Sequence, residues 1–178
     1  QDGSYLVDLL LKKNYNVYGV FRRTSHRLFE RLEEMDTFEK IHTIKADLTD
    51  SVSLKYAIKQ SQPDEVYNLA AQSFVTASFQ QPILTADVTG IGVIRILESL
   101  KEYAPNSKFY QASTSEMYGN YPGIKNEKSP FMPRSPYGSA KVFAHNITVN
   151  YREAYNIFAC CGILFNHESP LRGLEFVT

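Results

Sequence analysis

Apolar and polar positions along the chain follow two periods, one typical of buried strands and the other of helices. Short apolar runs, which suit strands covered on both faces, stand at 16–21, 41–47, 65–69, 108–112 and 158–165. Apolar residues at helical spacing occur between them, at 5–13, 51–60, 82–103 and 137–155. This alternation of strands and helices predicts an α/β fold with a doubly wound parallel sheet and flanking helices.

The start of the chain departs from that pattern. Gln1 to Ser4 lead directly into the first predicted helix, although a doubly wound domain should open with a strand and a glycine turn. We therefore expect residues 1–178 to form one N-terminally truncated domain that lacks its first strand. The charged stretch 26–40 predicts an exposed excursion with a short helix.

Candidate chemistry begins with Tyr137 and Lys141, which stand four residues apart on a predicted helix and so leave its same face. A free tyrosine has a pKa near 10, and a neighbouring cation favours the phenolate. A drop of roughly three units requires about 4 kcal/mol, which Lys141 and a positively charged nicotinamide ring together could supply in a dry cleft. The pair suits a tyrosine base for hydride chemistry. A tyrosine and a solvated lysine at this spacing also occur by chance on surface helices.

Polar residues follow several of the predicted strands, where the carboxyl ends of a doubly wound sheet form the ligand crevice. The stretch QASTSEMYG at 111–119 places hydroxyls and a carboxylate at the end of one strand, and NHESPLRG at 166–173 follows another. Taken singly, His167 is more often a packed or surface histidine, and Arg172 is usually solvated. Because each stretch places several polar residues at the end of a predicted strand, the two stretches are nevertheless candidate binding segments.

Arg22 and Arg23 come directly after the strand predicted at 16–21. An acidic residue there would bind the ribose of NAD, whereas arginine accommodates the 2′-phosphate of NADP, so NADP is favoured; a solvated basic turn is the alternative. Ala70 and Ala71 at another strand end allow a bound molecule to approach the backbone closely, or simply pack tightly. Asp50 precedes the helix predicted at 51–60 and is interpreted as its cap.

Composition narrows the class of protein. Lysine plus arginine and aspartate plus glutamate number 19 each, so the net charge gives no field for nucleic acid or an anionic membrane. No apolar run approaches the roughly 20 residues that span a bilayer, and no signal peptide opens the chain. We expect a soluble cytoplasmic protein. Cys160 and Cys161 are adjacent on a predicted strand, point to opposite faces and should be small buried hydrophobes that bind no metal.

Thr114, Glu116, Tyr137 and Lys141, within the alternating strand and helix pattern, resemble the active site of the extended short-chain dehydrogenase/reductase family across essentially all of 1–178. With PRSPY at 133–137 and FNHESP at 165–170, the chain closely resembles the members that dehydrate GDP-mannose and their near relatives acting on GDP-sugars. The resemblance implies a Rossmann-like, NADP-binding domain without the C-terminal substrate region, GDP-mannose as substrate, a 4,6-dehydratase activity and a homo-oligomer, either dimer or tetramer.

The resemblance also implies roles for the four residues. Tyr137 takes the proton of the sugar 4-hydroxyl, Lys141 holds the ribose, and Thr114 hydrogen-bonds the oxygen at C4. Glu116 removes the C5 proton and assists loss of the 6-hydroxyl as water. The implied cofactor-binding residues are Asp2, Gly3, Arg22, Arg23, Asp47, Leu48, Leu69, Ala70, Ala71, Gln72, Ser73, Lys141, His167 and Arg172, and the implied substrate-binding residues are Ser73, Thr114, Glu116, Tyr137 and Asn166.

Two residues depart from the family pattern. Leu84 replaces a tyrosine that helps to hold the cofactor, and Leu171 stands where the family commonly has arginine. Two alternatives stay open: a related GDP-sugar enzyme, such as a heptose dehydratase or a 4-keto reductase or epimerase, and a nucleotide-binding domain without turnover. Glu116 separates dehydration from plain oxidation or epimerisation, because neither of those needs a base at C5.

Overall fold

The computed structural model describes residues 1–25 and 28–173, which fall into two compact units. The first unit contains Gln1–Asp47 and the described residues from Asn166 onward, and the second is Leu48–Phe165. No helix in the described part of the chain is long and apolar enough to cross a bilayer. The two units are taken in turn below.

The first unit contains two parallel strands and the helices that precede and separate them. Its elements are helix α1 (Asp2–Lys12), strand β1 (Tyr18–Phe21), helix α2 (Glu30–Glu34), a 3₁₀ turn (Phe38–Lys40) and strand β2 (His42–Lys45). The strands pair from Tyr18–His42 to Phe21–Lys45. Asn14 has a φ of 61°, a left-handed conformation that asparagine tolerates and that prevents α1 from continuing. The predicted helix end near this residue is confirmed.

The second unit contains a three-stranded parallel sheet and most of the helices. Its elements are α3 (Ser51–Ser61), β3 (Glu65–Asn68), α4 (Val75–Gln80), α5 (Pro82–Thr85), a π-helical segment (Ala86–Ile91), α6 (Gly92–Tyr103), β4 (Lys108–Thr114), a 3₁₀ turn (Ser115–Met117), α7 (Pro136–Tyr155) and β5 (Ala159–Leu164). The strands lie in the order β3-β4-β5, with β4 in the centre. The predicted α/β class with parallel strands and flanking helices is confirmed.

Helix ends in this unit follow local chemistry. The Asp50 carboxylate accepts hydrogen bonds from the backbone N–H groups of Val52 and Ser53, both at 3.1 Å, so Asp50 caps α3 as predicted. The same bonds lower the pKa of Asp50. Ser135 caps α7 by accepting from the Gly138 N–H at 3.0 Å, and Pro136 occupies the first helical turn, where its missing N–H costs nothing.

The helix predicted at 82–103 is interrupted. Its middle, Ala86–Ile91, is π-helical. A Cβ at Gly90 would lie 3.2 Å from the Phe143 ring, and one at Gly92 would lie 3.0 Å from the Cβ of Leu48. Glycine lowers helix propensity and lets neighbouring chain approach closely, so the two glycines weaken the helix locally and it takes a wide turn here.

The core of the second unit lies between the sheet and helices α3, α6 and α7. Its most deeply buried large side chains are Val93, Leu97, Leu100, Phe109 and Met117. Full burial of each contributes about 1.5–3 kcal/mol. The opposite face of the sheet is different: Cys160 is exposed, as are Tyr67 and Phe158. The expectation that both cysteines are buried is therefore wrong for Cys160, because its side chain lies on that open face.

Candidate active site

The C-terminal end of β4 places two of the predicted catalytic residues. Thr114 is the last residue of the strand, and its Oγ1 accepts a hydrogen bond from the Glu116 N–H at 3.2 Å, which caps the 3₁₀ turn. Met117 in this turn is fully buried, while Glu116 is exposed. The turn is thus fixed to the core by its methionine and presents its carboxylate outward.

The first turn of α7 lies directly against that segment. A Cβ at position 138 would lie 2.9 Å from the backbone oxygen of Glu116, so glycine is needed for this approach. Tyr137 is 8% exposed and Lys141 is 3% exposed. The structure therefore brings Thr114, Glu116, Tyr137 and Lys141 to one place in the second unit, as the helical spacing and strand-end positions indicated.

Groups around the Tyr137 phenol shift its pKa in opposite directions. Burial raises its pKa most strongly, a hydrogen bond with Thr114 lowers it, and the charge of Glu116 raises it, so that the net direction is upward. The chain alone therefore does not produce the lowering expected from the sequence. The Lys141 Nζ lies 5.8 Å from the centroid of the Tyr137 ring. The expected lowering of the Tyr137 pKa also depended on a positively charged nicotinamide ring, which a bound cofactor would supply and the chain does not.

Lys141 has an unusual environment for an ammonium group. Its Nζ donates to the Ala112 carbonyl at 2.7 Å, and burial lowers its pKa to about 8. No carboxylate lies within ion-pair distance of it among residues 1–25 and 28–173. A cation held this way is available to interact with a ligand, because none of the described residues supplies a counter-ion that neutralises it.

The loop after β3 contains five of the predicted cofactor-binding residues, Leu69 to Ser73. Its backbone is fixed where the Gln72 N–H donates to Thr89 Oγ1 at 3.1 Å, and the Gln72 side-chain amide donates to the Phe74 carbonyl at 3.1 Å. The Gln72 Oε1 is buried and accepts no hydrogen bond from the part of the chain that the structure describes. An unsatisfied buried acceptor beside small residues, Ala70 and Ala71, fits a site that receives donors from a bound molecule.

Most of the other predicted cofactor residues lie in the first unit, whereas Leu48 begins the second unit, where it is partly buried. His167 Nε2 lies 2.8 Å from the Asp2 carboxylate, and Arg172 donates to the His167 carbonyl at 2.8 Å while pairing with Glu168 at 2.8 Å. The structure thus joins Asp2, His167 and Arg172 in one polar cluster. Gly3 is exposed in the first turn of α1, Arg22 and Arg23 are exposed after β1, Asp47 is partly buried, and Asn166 is exposed.

Leu171 and Leu84, which depart from the family pattern, have different surroundings. Leu171 is buried, and its carbonyl accepts from the Arg31 side chain at 2.8 Å. Leu84 in α5 is exposed. The substitution at Leu171 thus places an apolar side chain in the packed part of the first unit.

Sequence reasoning missed several residues that support the site. Gly138 permits the close contact described above, and Asn68 and Gln111 form a buried amide pair behind Lys141. His145 lies one turn beyond Lys141 on α7, where its Nδ1 is 3.0 Å from the Ser113 hydroxyl, and burial lowers its pKa. The sequence signal that could have identified Gln111 is a single polar residue inside an apolar strand.

Known proteins resemble this chain in sequence and in fold. Residues 1–178 match the family model described as GDP-mannose 4,6 dehydratase. The chain is 52% identical to GDP-mannose 4,6-dehydratase of Vibrio cholerae and 50% identical to GDP-mannose 4,6 dehydratase 2 of Arabidopsis thaliana; each comparison covers 100% of this chain and 50% of the relative. The chain therefore spans about half the length of these curated relatives.

Two solved structures share the fold. UDP-glucose 4-epimerase of Thermus thermophilus in complex with NAD is 25% identical with a TM-score of 0.79, covering 89% of this chain and 50% of that one. The dTDP-glucose 4,6-dehydratase of Bacillus anthracis in complex with NAD is 26% identical with a TM-score of 0.74, covering 89% and 49%. With the family match over the whole length, these findings show that the chain belongs to the GDP-mannose 4,6-dehydratase family.

Proposed function

We propose that residues 1–178 form the nucleotide-binding and catalytic part of an NADP-dependent GDP-mannose 4,6-dehydratase. The observation that carries the proposal is the convergence of Thr114, Glu116, Tyr137 and Lys141 at the junction of β4 and α7. The family match supports the substrate, since relatives at about 50% identity carry this activity in their names. The product is GDP-4-keto-6-deoxymannose.

The first chemical task is removal of the proton from the sugar 4-hydroxyl. In this proposal the Tyr137 oxygen accepts it, and the neighbouring Thr114 hydroxyl turns its single proton from Tyr137 to the sugar oxygen at C4. Lys141 holds the cofactor ribose and favours the phenolate by its charge. A bound nicotinamide would supply the hydride acceptor for C4 and the hydride donor for C6.

The second task is loss of water across C5 and C6. Oxidation at C4 makes the C5 proton acidic, and Glu116 takes that proton and passes one to the departing 6-hydroxyl, which leaves as water. Glu116 suits this role because its carboxylate is exposed while its backbone is fixed between Thr114 and Gly138. Hydride return to C6 with transfer of a solvent-derived proton to C5, and release of the proton that Tyr137 took, completes the reaction.

The residues present fit a nicotinamide dinucleotide. The buried Gln72 Oε1, which accepts no hydrogen bond from the described residues, can accept one from the ligand, and the small side chains of Ala70 and Ala71 allow a ligand to approach the backbone. NADP rather than NAD is proposed because Arg22 and Arg23 are both exposed and cationic at the end of β1, which suits a 2′-phosphate. Asp47 and Leu48 would contact the adenine, and Asp2, Gly3, His167 and Arg172 are further candidates.

We also propose that the protein is a cytoplasmic homo-oligomer, a dimer or tetramer. Phe79 on α4, Ile83 on α5 and Phe143 on α7 are exposed apolar side chains of the second unit, and such residues are typical of protein interfaces. Sedimentation velocity of the complete protein tests this, and a monomer at micromolar concentration would contradict it.

The decisive experiment incubates the complete protein with GDP-mannose and NADP⁺ in deuterated water. We expect a 4-keto-6-deoxy product with deuterium at C5, detected by mass spectrometry and NMR. Glu116→Gln should abolish the product, whereas the matched variant Glu127→Gln, in an exposed loop, should retain it. If cofactor binds but GDP-mannose is unchanged, the substrate is wrong; a 4-epimer would indicate the related chemistry that needs no base at C5.

A further inference from the structure

A pair of amide side chains lies in the core behind the proposed active site. Asn68 ends β3 and Gln111 stands opposite it in β4, and both are buried, Gln111 to 1% exposure. The Asn68 Nδ2 donates to the Gln111 Oε1 at 2.8 Å. Amides placed in a core are unfavourable unless their hydrogen bonds are satisfied, so this pair has a fixed orientation.

The other end of the Gln111 amide reaches the backbone that holds Lys141. Gln111 Nε2 donates to the Ala112 carbonyl at 3.0 Å, and Lys141 Nζ donates to the same oxygen at 2.7 Å. Pairing between β3 and β4 ends at Asn68 and Gln111, so Ala112 is the first residue of β4 without a partner in β3. The two side chains use both lone pairs of this carbonyl.

The charge of the side chain at position 111 matters because Lys141 lies among titratable groups. Tyr137 and His145 lie one turn away on its own helix, and Glu116 lies on the turn after β4. None of the described carboxylates pairs with Lys141, and burial lowers its pKa to about 8. A carboxylate in place of the Gln111 amide would lie beside the same carbonyl oxygen as the ammonium and would supply a counter-ion.

We propose that Gln111, oriented by Asn68, is a positioning residue for Lys141: it fixes the Ala112 carbonyl that receives the ammonium and, being neutral, adds no counter-ion to that ammonium. The inference deepens the proposed function, because Lys141 is the residue assigned to the cofactor ribose and to stabilisation of the Tyr137 phenolate. Asn68 acts one step further away, through Gln111.

The first test measures Lys141 without any turnover. The complete protein is acetylated with limiting acetic anhydride between pH 6.5 and 11, and mass spectrometry of the Lys141 peptide gives the pKa of its amine. Gln111→Glu should raise that pKa by about one unit or more, as expected for a buried opposite charge nearby. Gln80→Glu, an exposed change of the same charge on α4, should leave it unchanged.

The second test separates positioning from general stability. Asn68→Ala and Gln111→Met should each slow the first hydride transfer about tenfold with little change in KM for GDP-mannose. The double variant should be no slower than Gln111→Met alone, because Asn68 acts through Gln111. Independent losses that add would overturn the proposal, as would an unchanged Lys141 pKa in folded Gln111→Glu protein. If the Gln111→Glu protein does not fold, the comparison of Asn68→Ala, Gln111→Met and the double variant tests the proposal by itself.

Failure of the proposed function is distinguishable from failure of this inference. If neither wild-type protein nor any variant converts GDP-mannose, but Gln111→Glu still raises the Lys141 pKa relative to Gln80→Glu, the inferred link between Gln111 and Lys141 stands and the substrate assignment fails. If wild-type protein converts GDP-mannose and the pKa of Lys141 is insensitive to Gln111→Glu, the positioning role fails alone.

Discussion

Replacing Lys141 by an uncharged residue should abolish activity and stabilise the fold. Lys141 is 3% exposed, and burial lowers the pKa of its amine from 10.5 to about 8. That difference corresponds to a cost of about 3 kcal/mol for keeping the charged form in the folded protein. Methionine has a similar length and no charge, and the Ala112 carbonyl that loses the lysine still accepts from Gln111.

The expected net effect follows from two opposing contributions. Lys141→Met removes the cost of burying the charge, about 3 kcal/mol, and loses a hydrogen bond to a carbonyl, worth about 1 kcal/mol. The free energy of unfolding at pH 7 should therefore rise by about 2 kcal/mol. Equilibrium unfolding in guanidinium chloride measures it, with Lys128→Met, a change of the same type in an exposed loop, as control.

The pH dependence gives the more specific test. Below pH 8 the lysine is charged in both the folded and the unfolded state, so the full cost is present. Between pH 8 and 10.5 the unfolded state binds a proton that the folded state lacks, so the stability of the wild-type protein rises with pH relative to the variant. The advantage of Lys141→Met, about 2 kcal/mol at pH 7, should disappear at about pH 9.5, and above the ordinary lysine pKa of 10.5 the variant should be the less stable protein by about 1 kcal/mol, the lost hydrogen bond. A difference that is independent of pH, or a destabilised variant at pH 7, would refute the reasoning.

Three further changes have defined outcomes. Gly138→Ala should destabilise the protein by about 1–3 kcal/mol and lower turnover, since its Cβ would lie 2.9 Å from a backbone oxygen. The control Gly123→Ala has a φ of 74° and no atom within 4 Å of the added Cβ. It should lose only about 1–2 kcal/mol of stability through backbone strain and should keep full activity. Asp50→Ala should lower the melting temperature at pH 7, and because the pKa of Asp50 is lowered by its capping bonds, the difference should shrink as the pH falls below about 4, as thermal scans across pH would show. Replacing Arg22 and Arg23 by serine should weaken NADP binding about tenfold or more relative to NAD, measured by calorimetry; equal losses for both cofactors would count against the 2′-phosphate assignment.

The sequence predicted most of the elements because strong local signals mark them. Helix α7 was predicted closely, since Ser135 and Pro136 form a clear helix start. Helix α4, Val75–Gln80, was not predicted, because VTASFQ has too few apolar positions to show a helical period. The π-helical segment was also missed, since a pattern of apolar residues fixes a helix face but not one wide turn within it.

The candidate site was predictable in composition but not in its energetics. Helical spacing was sufficient to place Tyr137 beside Lys141. The direction of the Tyr137 pKa in the chain alone was not, because burial outweighs the nearby groups and depth cannot be read from spacing. Gln111 was passed over because one amide inside an apolar strand has no distinctive pattern, and its role depends on Asn68, a distant residue brought opposite it by the sheet.

The π-helical segment has a consequence for how substitutions combine. Thr89 within it holds the backbone of Gln72, and Arg95, one turn beyond it, holds the Leu48 carbonyl at 2.9 Å and pairs with Asp87 at 2.7 Å. Two loops that are far apart in sequence therefore take their position from one short stretch of helix. Mutations in either loop should show epistasis with mutations in 86–91, and an insertion or deletion there should disturb both loops at once.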